Sequence, residues 1–247
     1  MSLAAEQAIE QTVAKILYVY NQKGGSGKTT TTMNLAAGLH EQGYRVLVVD
    51  IDPQNSVAKW FSNGDGSIPY PYTNLARAGH TIANELEKQI DNYDFIVIDG
   101  RPQVELKTSK LLLVSDLVII PMRLTTMDFD ATADLLTEIR TAQLDNPDLR
   151  YAYLFNQVVD EERVLAKTCI AIIEQEGHKT FDTRIRSREC HPNAYERGQT
   201  VYQRRDSSSQ HAAGEVTALS NEVLAMFPDV VKPQSKTKAG RRATASR

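Results

Sequence analysis

The chain has 247 residues, 41% hydrophobic and 24% charged, with a formal net charge of −3; this is ordinary globular composition at a length that one α/β domain fills. No stretch approaches the roughly 20 apolar residues of a membrane span, which excludes a helical membrane protein. Cys169 and Cys190, separated in sequence with neither pairing nor metal spacing, exclude a disulfide framework and read as free thiols of a reducing compartment.

Positions 1–14 form a short extension without an apolar run of signal-peptide kind, so a cytoplasmic location is expected. A strand follows in KILYVYN (15–21), then a glycine-rich stretch, NQKGGSGKTT (21–30), and a helix in TTTTMNLAAGLHEQ (29–42) stopped by Gly43. RVLVVDID (45–52) reads as the second strand and TIANELEKQI (81–90) as helical. FIVID (95–99) and DLVIIPM (116–122) are strands, FDATADLLTEIRTAQL (129–144) is a helix ending before Pro147, and YAYLFNQV (151–158) is a further strand. Such near-continuous apolar runs suit strands covered on both faces. An amphipathic helix, GEVTALSNEVLAMF (214–227), ends at Pro228, which places one domain over 15–228 and a basic tail over 229–247. The alternation predicts an α/β fold with a doubly wound, mostly parallel sheet.

The glycine-rich stretch sits between a strand and a helix, the context that a phosphate-binding loop requires. Gly24, Gly25 and Gly27 leave room for backbone N–H groups to surround phosphate oxygens, with Ser26 between them and Thr30 beginning the helix. Lys28 can reach the β- and γ-phosphates and the Thr29 hydroxyl can ligate Mg²⁺. Gln22 stands where the usual spacing asks for glycine, and a second lysine, Lys23, stands beside it. Asp99 closes its strand at the edge where open α/β sheets bind ligands, and Asp50 and Asp52 end the second strand. Carboxylates so placed can hold a metal-bound water or orient the attacking one in phosphoryl transfer.

KGGSGKTT together with DIDPQNS and FIVIDG resembles the deviant Walker-A ATPases of the ParA/MinD group, most of all the small, ParF-like partition ATPases without an N-terminal DNA-reading domain. The resemblance covers about residues 15 to 228 and implies a P-loop NTPase fold with ATP and Mg²⁺ as cofactors. It implies that Lys23 crosses the interface of an ATP-dependent homodimer to the partner's nucleotide, while Lys28 serves its own. It further implies that Thr29, Asp52 and Asp99 surround the metal, that Asp52 positions water, and that Asn156 lies near adenine. One departure stands out: after Asp99 the chain reads GRPQ, which puts Arg101 into switch II.

Members of this group differ in what they carry. A MinD-like protein needs a C-terminal amphipathic membrane helix, but past Phe227 the chain has only Val230 and Val231 as large apolar residues, so no membrane partner is expected. The cysteines do not follow the pattern of a nitrogenase iron protein, and the tail lacks the tyrosines of an autokinase. The segment TRIRSRECHPNAYERGQTVYQRR (183–205) carries Arg184, Arg186, Arg188, Arg197, Arg204 and Arg205 against Glu189 and Glu196. In ParA relatives this part of the chain lines a nonspecific DNA surface, and alternation in RIRSR puts three arginines on one face if extended. His191 reads as a loop residue. From Lys232 to Arg247 the chain carries Lys232, Lys236, Lys238, Arg241, Arg242 and Arg247 and no acid, which suits an anionic partner. The expected function is therefore a nucleoid-associated partition ATPase that segregates plasmid or chromosomal DNA with a ParB-like centromere-binding protein. Alternatives are a protein cargo such as a carboxysome or chemotaxis cluster, reached through an adaptor, and a metabolic P-loop enzyme of dethiobiotin-synthetase type.

Overall fold

The computed structural model describes residues 13–101, 106–161 and 163–232. Six strands, β1 (Lys15–Val19), β2 (Val46–Asp50), β3 (Tyr72–Asn74), β4 (Phe95–Asp99), β5 (Leu117–Met122) and β6 (Arg150–Phe155), form one sheet in the order β3-β2-β4-β1-β5-β6. All its pairings are parallel. The helices are α1 (Lys28–Glu41), α2 (Ser56–Ser62), α3 (Ile82–Glu87), α4 (Leu106–Val114), α5 (Thr126–Asp130), α6 (Ala133–Ala142), α7 (Val164–Gln175), α8 (Cys190–Glu196) and α9 (Ser207–Met226). Strand residues alternate between two apolar layers: Leu17 and Val19 face the layer holding residues of α1 and α9, whereas Ile16, Tyr18 and Tyr20 face the layer holding residues of α3, α4, α6 and α7. Covering both faces explains why β2, β4 and β5 are apolar runs without exposed positions. β1 lies where the chain's progress across the sheet reverses, and this switch point opens the crevice in which such sheets bind ligands.

Three elements differ from the sequence reading. The helix expected over 129–144 is broken into α5 and α6, because Thr125 caps an earlier start by accepting from Asp128 N and the Thr132 hydroxyl turns back to Phe129 O at 2.7 Å. α9 begins at Ser207, well before Gly214, where the Asp206 carboxylate accepts from Ser209 N at 2.9 Å. Pro228 ends the helix but not the packing: Val230 is buried with Phe227, and Asp229 pairs with Lys15 at 2.9 Å. The basic tail beyond Lys232 and the extension before Val13 lie outside the described residues. So does Pro102 to Glu105, the stretch just past Arg101. No helix among the described residues is long and apolar enough to cross a membrane.

Candidate nucleotide site

The loop between β1 and α1 is shaped by glycine at two positions where the backbone turns left-handed, Gly25 (φ 73°) and Gly27 (φ 89°). Gly27 carries a second constraint, since a Cβ there would lie 2.1 Å from the Asn156 amide nitrogen. The loop is braced on three sides. Asn21, fully buried, donates to Pro121 O at 2.8 Å and accepts from Lys23 N at 2.9 Å. Asn156 donates to Ser26 O and Gln157 to Gly25 O, both at 2.9 Å. The backbone N–H groups of the first turn of α1 have no intrahelical acceptor, so the helix offers its positive end at the loop.

Lys28 is buried, and its ammonium donates to Lys23 O at 2.9 Å across the loop. Desolvation lowers its pKa, opposed by the nearby carboxylates of Asp99 and Asp52. Thr29 Oγ1 donates to Asp99 Oδ2 at 2.7 Å, which puts two of the expected metal ligands in direct contact. Asp99 is driven up to about 7 by burial, against the Thr29 hydrogen bond and with added repulsion from Asp50. Thr29 and Asp99 would hold a hard divalent cation, whose charge would favour the ionised carboxylate, so the donor set fits Mg²⁺. The structure also separates the two acids at the end of β2. Asp50, fully buried, accepts from Asp52 N at 2.9 Å and Val57 N at 3.1 Å and so shapes the turn into α2. Asp52 is half-exposed, its carboxylate accepts only from Gln54 N among the hydrogen bonds of the described residues, and its charge bears on both Lys28 and Asp99.

The raised Asp99 has a thermodynamic consequence. Between about 3.8, its value in an unfolded chain, and about 7, the folded state holds a proton that the unfolded state has lost. Stability of the nucleotide-free protein should therefore fall as pH rises through that window and level off above it. Asp99→Asn should remove the slope and raise Tm at pH 8 by roughly 5 °C. Calorimetry of both proteins from pH 5 to 8 without nucleotide or metal checks this; a parent Tm that rises with pH would contradict the buried, protonated carboxylate.

Lys23 does not point at its own phosphate site. Its ammonium pairs with Asp128, at the head of α5, and Arg123 pairs with the same carboxylate at 2.9 Å. Burial alone would raise Asp128, but Arg123 and Lys23 outweigh it and hold the carboxyl down at about 2. Sequence reasoning missed Asp128, although T-x-x-D from Thr125 to Asp128, ahead of the helix, is a capping-box pattern that marks it. It also missed Gln157 and Trp60; Trp60 joins Gly27, Thr29, Thr30, Asn156 and Gln157 around a cavity of about 560 Å³ beside the loop.

The arginines are brought together less simply than an extended RIRSR strand implies. Residues 179 to 187 run beside β6 and the residues just after it through isolated parallel bridges, Thr180 to Tyr153 and Arg186 to Val158, not as a strand. Arg184 and Arg186 share Glu161, Arg188 pairs with Glu215 at 2.6 Å, and Arg204 with Asp206 at 3.1 Å. Arg186 and Arg188 line the nucleotide cavity, while Arg197 and Arg205 are exposed. Counting charge only within 183–205 overlooked Glu161, Asp206 and Glu215, which lie outside that stretch. His191 is in the first turn of α8, not a loop, with both ring nitrogens buried. Cys169 and Cys190 are free and buried, and among the described residues no cluster of His, Cys, Asp and Glu could hold a metal by itself.

A braced loop with left-handed glycines, a buried lysine across it and a Thr–Asp pair behind it is the apparatus of nucleotide binding. Residues 17–201 match the CobQ/CobB/MinD/ParA nucleotide binding domain. The chain belongs to this family and is a P-loop ATPase. It is 32% identical over 214 residues to the maintenance of carboxysome distribution protein A of Halothiobacillus neapolitanus, covering 84% of this chain and 95% of that one. It is 31% identical over 203 residues to the sporulation initiation inhibitor protein Soj of Bacillus subtilis, covering 66% and 79%. The fold is similar to that of the septum site-determining protein MinD of Pyrococcus horikoshii, solved with Mg-ADP: the TM-score is 0.71 at 18% identity, over 89% of this chain and 100% of that one.

Proposed function

We propose that this ATPase is a positioning switch: ATP and Mg²⁺ build a homodimer, the dimer holds DNA nonspecifically, and a cargo-bound partner stimulates hydrolysis and release. The observation that carries the reading is the division of labour between two lysines. Lys28 lies buried across its own loop, and Lys23 is parked on Asp128 away from it. Thr29 and Asp99 would hold Mg²⁺ with Asp52 near it, the metal neutralising charge on the transferred phosphoryl group, and Asp52 would orient the attacking water. Support for a second subunit on this side comes from Met127, Val159, Val164 and Leu165. These large apolar side chains are each at least two-thirds exposed: Met127 is next to Asp128, Val159 is on the β6–α7 connection that follows Gln157, and Val164 and Leu165 open α7. The cargo follows the first reading, plasmid or chromosomal DNA through a ParB-like partner. A protein assembly is the second reading, favoured by the similarity to a carboxysome distribution protein along nearly its whole length.

On the DNA side, Arg184, Arg186, Arg188, Arg204 and Arg205 together with Arg197 stand against Glu161, Glu189, Glu196, Asp206 and Glu215, a surplus of one positive charge that a dimer doubles. Phosphate contacts need charge and little discrimination. Fluorescence anisotropy of a mixed-sequence duplex across a salt series, with ATP-Mg²⁺ or ADP-Mg²⁺, tests the proposal. Binding should require ATP, and Arg205→Ala should lower the salt slope by about 0.9 for each phosphate it no longer neutralises. Equal binding with ADP would sink the switch, and turnover on a small-molecule substrate without DNA or partner would favour the metabolic reading instead.

A further inference from the structure

Gln157, just past β6, has φ at +54°, in the left-handed region where a residue other than glycine is uncommon. Among the described residues the only other such position is Asn55, a residue type that tolerates this conformation. Backbone strain of this kind persists only where the surroundings dictate it. Here they do: Asn156 N donates to Met122 O at 2.7 Å on one side, and on the other Val158 N donates to Ile185 O at 3.0 Å while Val158 O accepts from Ser187 N at 2.9 Å. Pinned at both ends, Gln157 is turned over the glycine-rich loop. Its Nε2 donates to Gly25 O at 2.9 Å and lies 3.4 Å from where a Cβ on Gly27 would stand. Its backbone N–H donates to Asn156 Oδ1 at 2.9 Å, and the nitrogen of that same amide donates to Ser26 O.

Two side-chain amides thus hold two consecutive loop carbonyls. In a planar trans peptide the carbonyl of one residue and the N–H of the next point in opposite directions. Drawing Gly25 O and Ser26 O toward residues 156 and 157 therefore turns the N–H groups of Ser26 and Gly27 away from them. Among the described residues neither N–H donates to a protein acceptor. Two adjacent free N–H groups turned the same way, with the Lys28 ammonium across the loop, suit anionic oxygens.

We propose that Gln157 is a positioning residue for nucleotide binding, a latch that with Asn156 fixes these two peptides so that the N–H groups of Ser26 and Gly27 meet the phosphates. The latch acts on the phosphate loop read in residues 21 to 30, and its role rests on that reading. Without it the Gly25–Ser26 peptide is free to rotate, because glycine has the widest choice of backbone angles. Ordering that peptide then falls to the ligand, at a cost in affinity. The Gln157 side chain is exposed, so cutting it back opens no cavity in the core.

The test compares the full-length parent with Gln157→Met, which keeps the length of the side chain and removes the donor, and with Gln157→Gly, which removes the donor and the strain together. Each protein is titrated with a fluorescent ATP analogue in Mg²⁺, and the analogue is then displaced by ATP or by inorganic tripolyphosphate, which has phosphates but neither base nor ribose. Both variants should bind ATP and tripolyphosphate about fivefold more weakly, with Tm in the absence of nucleotide within about 2 °C of the parent. Parent-like affinity in Gln157→Met would overturn the proposal. So would parent-like affinity in Gln157→Gly, since relief of strain would then make the hydrogen bond dispensable. A loss for ATP without one for tripolyphosphate would assign the side chain to base or ribose instead, and a Tm that falls beyond that margin along with affinity would make Gln157 merely structural. If millimolar tripolyphosphate does not displace the analogue from the parent, the phosphate-loop reading itself fails; if it displaces equally well from all three proteins, only the role of Gln157 fails.

Discussion

Lys28→Ala should reduce ATP affinity by about 2–4 kcal/mol, or roughly 30- to 1000-fold, because it removes the cation that meets the β- and γ-phosphates inside a largely desolvated loop. The site is prepared for this cation: desolvation already disfavours its charge, and only Asp99 and Asp52 hold against it. The variant should nevertheless fold. With Lys28 gone, Asp99 loses the lysine that lowers its pKa and keeps its proton more firmly, so no bare carboxylate is left buried. Dimer formation and DNA binding should disappear with the nucleotide. Equilibrium dialysis against ATP and Mg²⁺ decides the matter, and parent-like affinity would show that residues 21 to 30 are a glycine-rich turn and no phosphate loop.

What the sequence reveals here divides along a physical line. β1, β2, β4, β5 and β6 are legible because a strand buried on both faces must be apolar throughout, and the phosphate loop is legible because its glycines are demanded locally by backbone geometry. β3 escapes notice, since a short edge strand with both ends exposed leaves no apolar run. α7 escapes because Val164 and Leu165 are apolar yet exposed, which blurs its period. The site divides in the same way. Lys28, Thr29 and Asp99 belong to one local pattern closed by one strand end, whereas Asp128 is 105 residues from Lys23 and is brought to it only by the fold. Asp50 and Asp52 look equivalent as letters; burial alone distinguishes the acid that shapes a turn from the acid that faces the loop.

Lys23→Ala should leave ATP affinity of the monomer within about twofold while weakening the ATP-dependent dimer by about 100-fold, the cost of losing a charge-assisted contact at a closed interface. Asp128 makes the argument more specific than the two lysines alone would. To reach a partner's nucleotide, Lys23 must leave a carboxylate that is 1% exposed, and a buried charge abandoned by its partner is expensive. Arg123 removes that obstacle, because it holds Asp128 through Nε at 2.9 Å and Nη2 at 3.2 Å whether Lys23 is present or not. Two cations on one acid let the lysine come and go cheaply. Arg123→Ala should therefore also weaken dimerisation, since Lys23 then becomes the last counterion of that carboxylate. Light scattering at saturating ATP and Mg²⁺ measures both variants, with chemical denaturation as the control for folding. If Lys23→Ala dimerises like the parent, Lys23 has no role across the interface; if Arg123→Ala dimerises more tightly than the parent, Asp128 is not what Lys23 must leave.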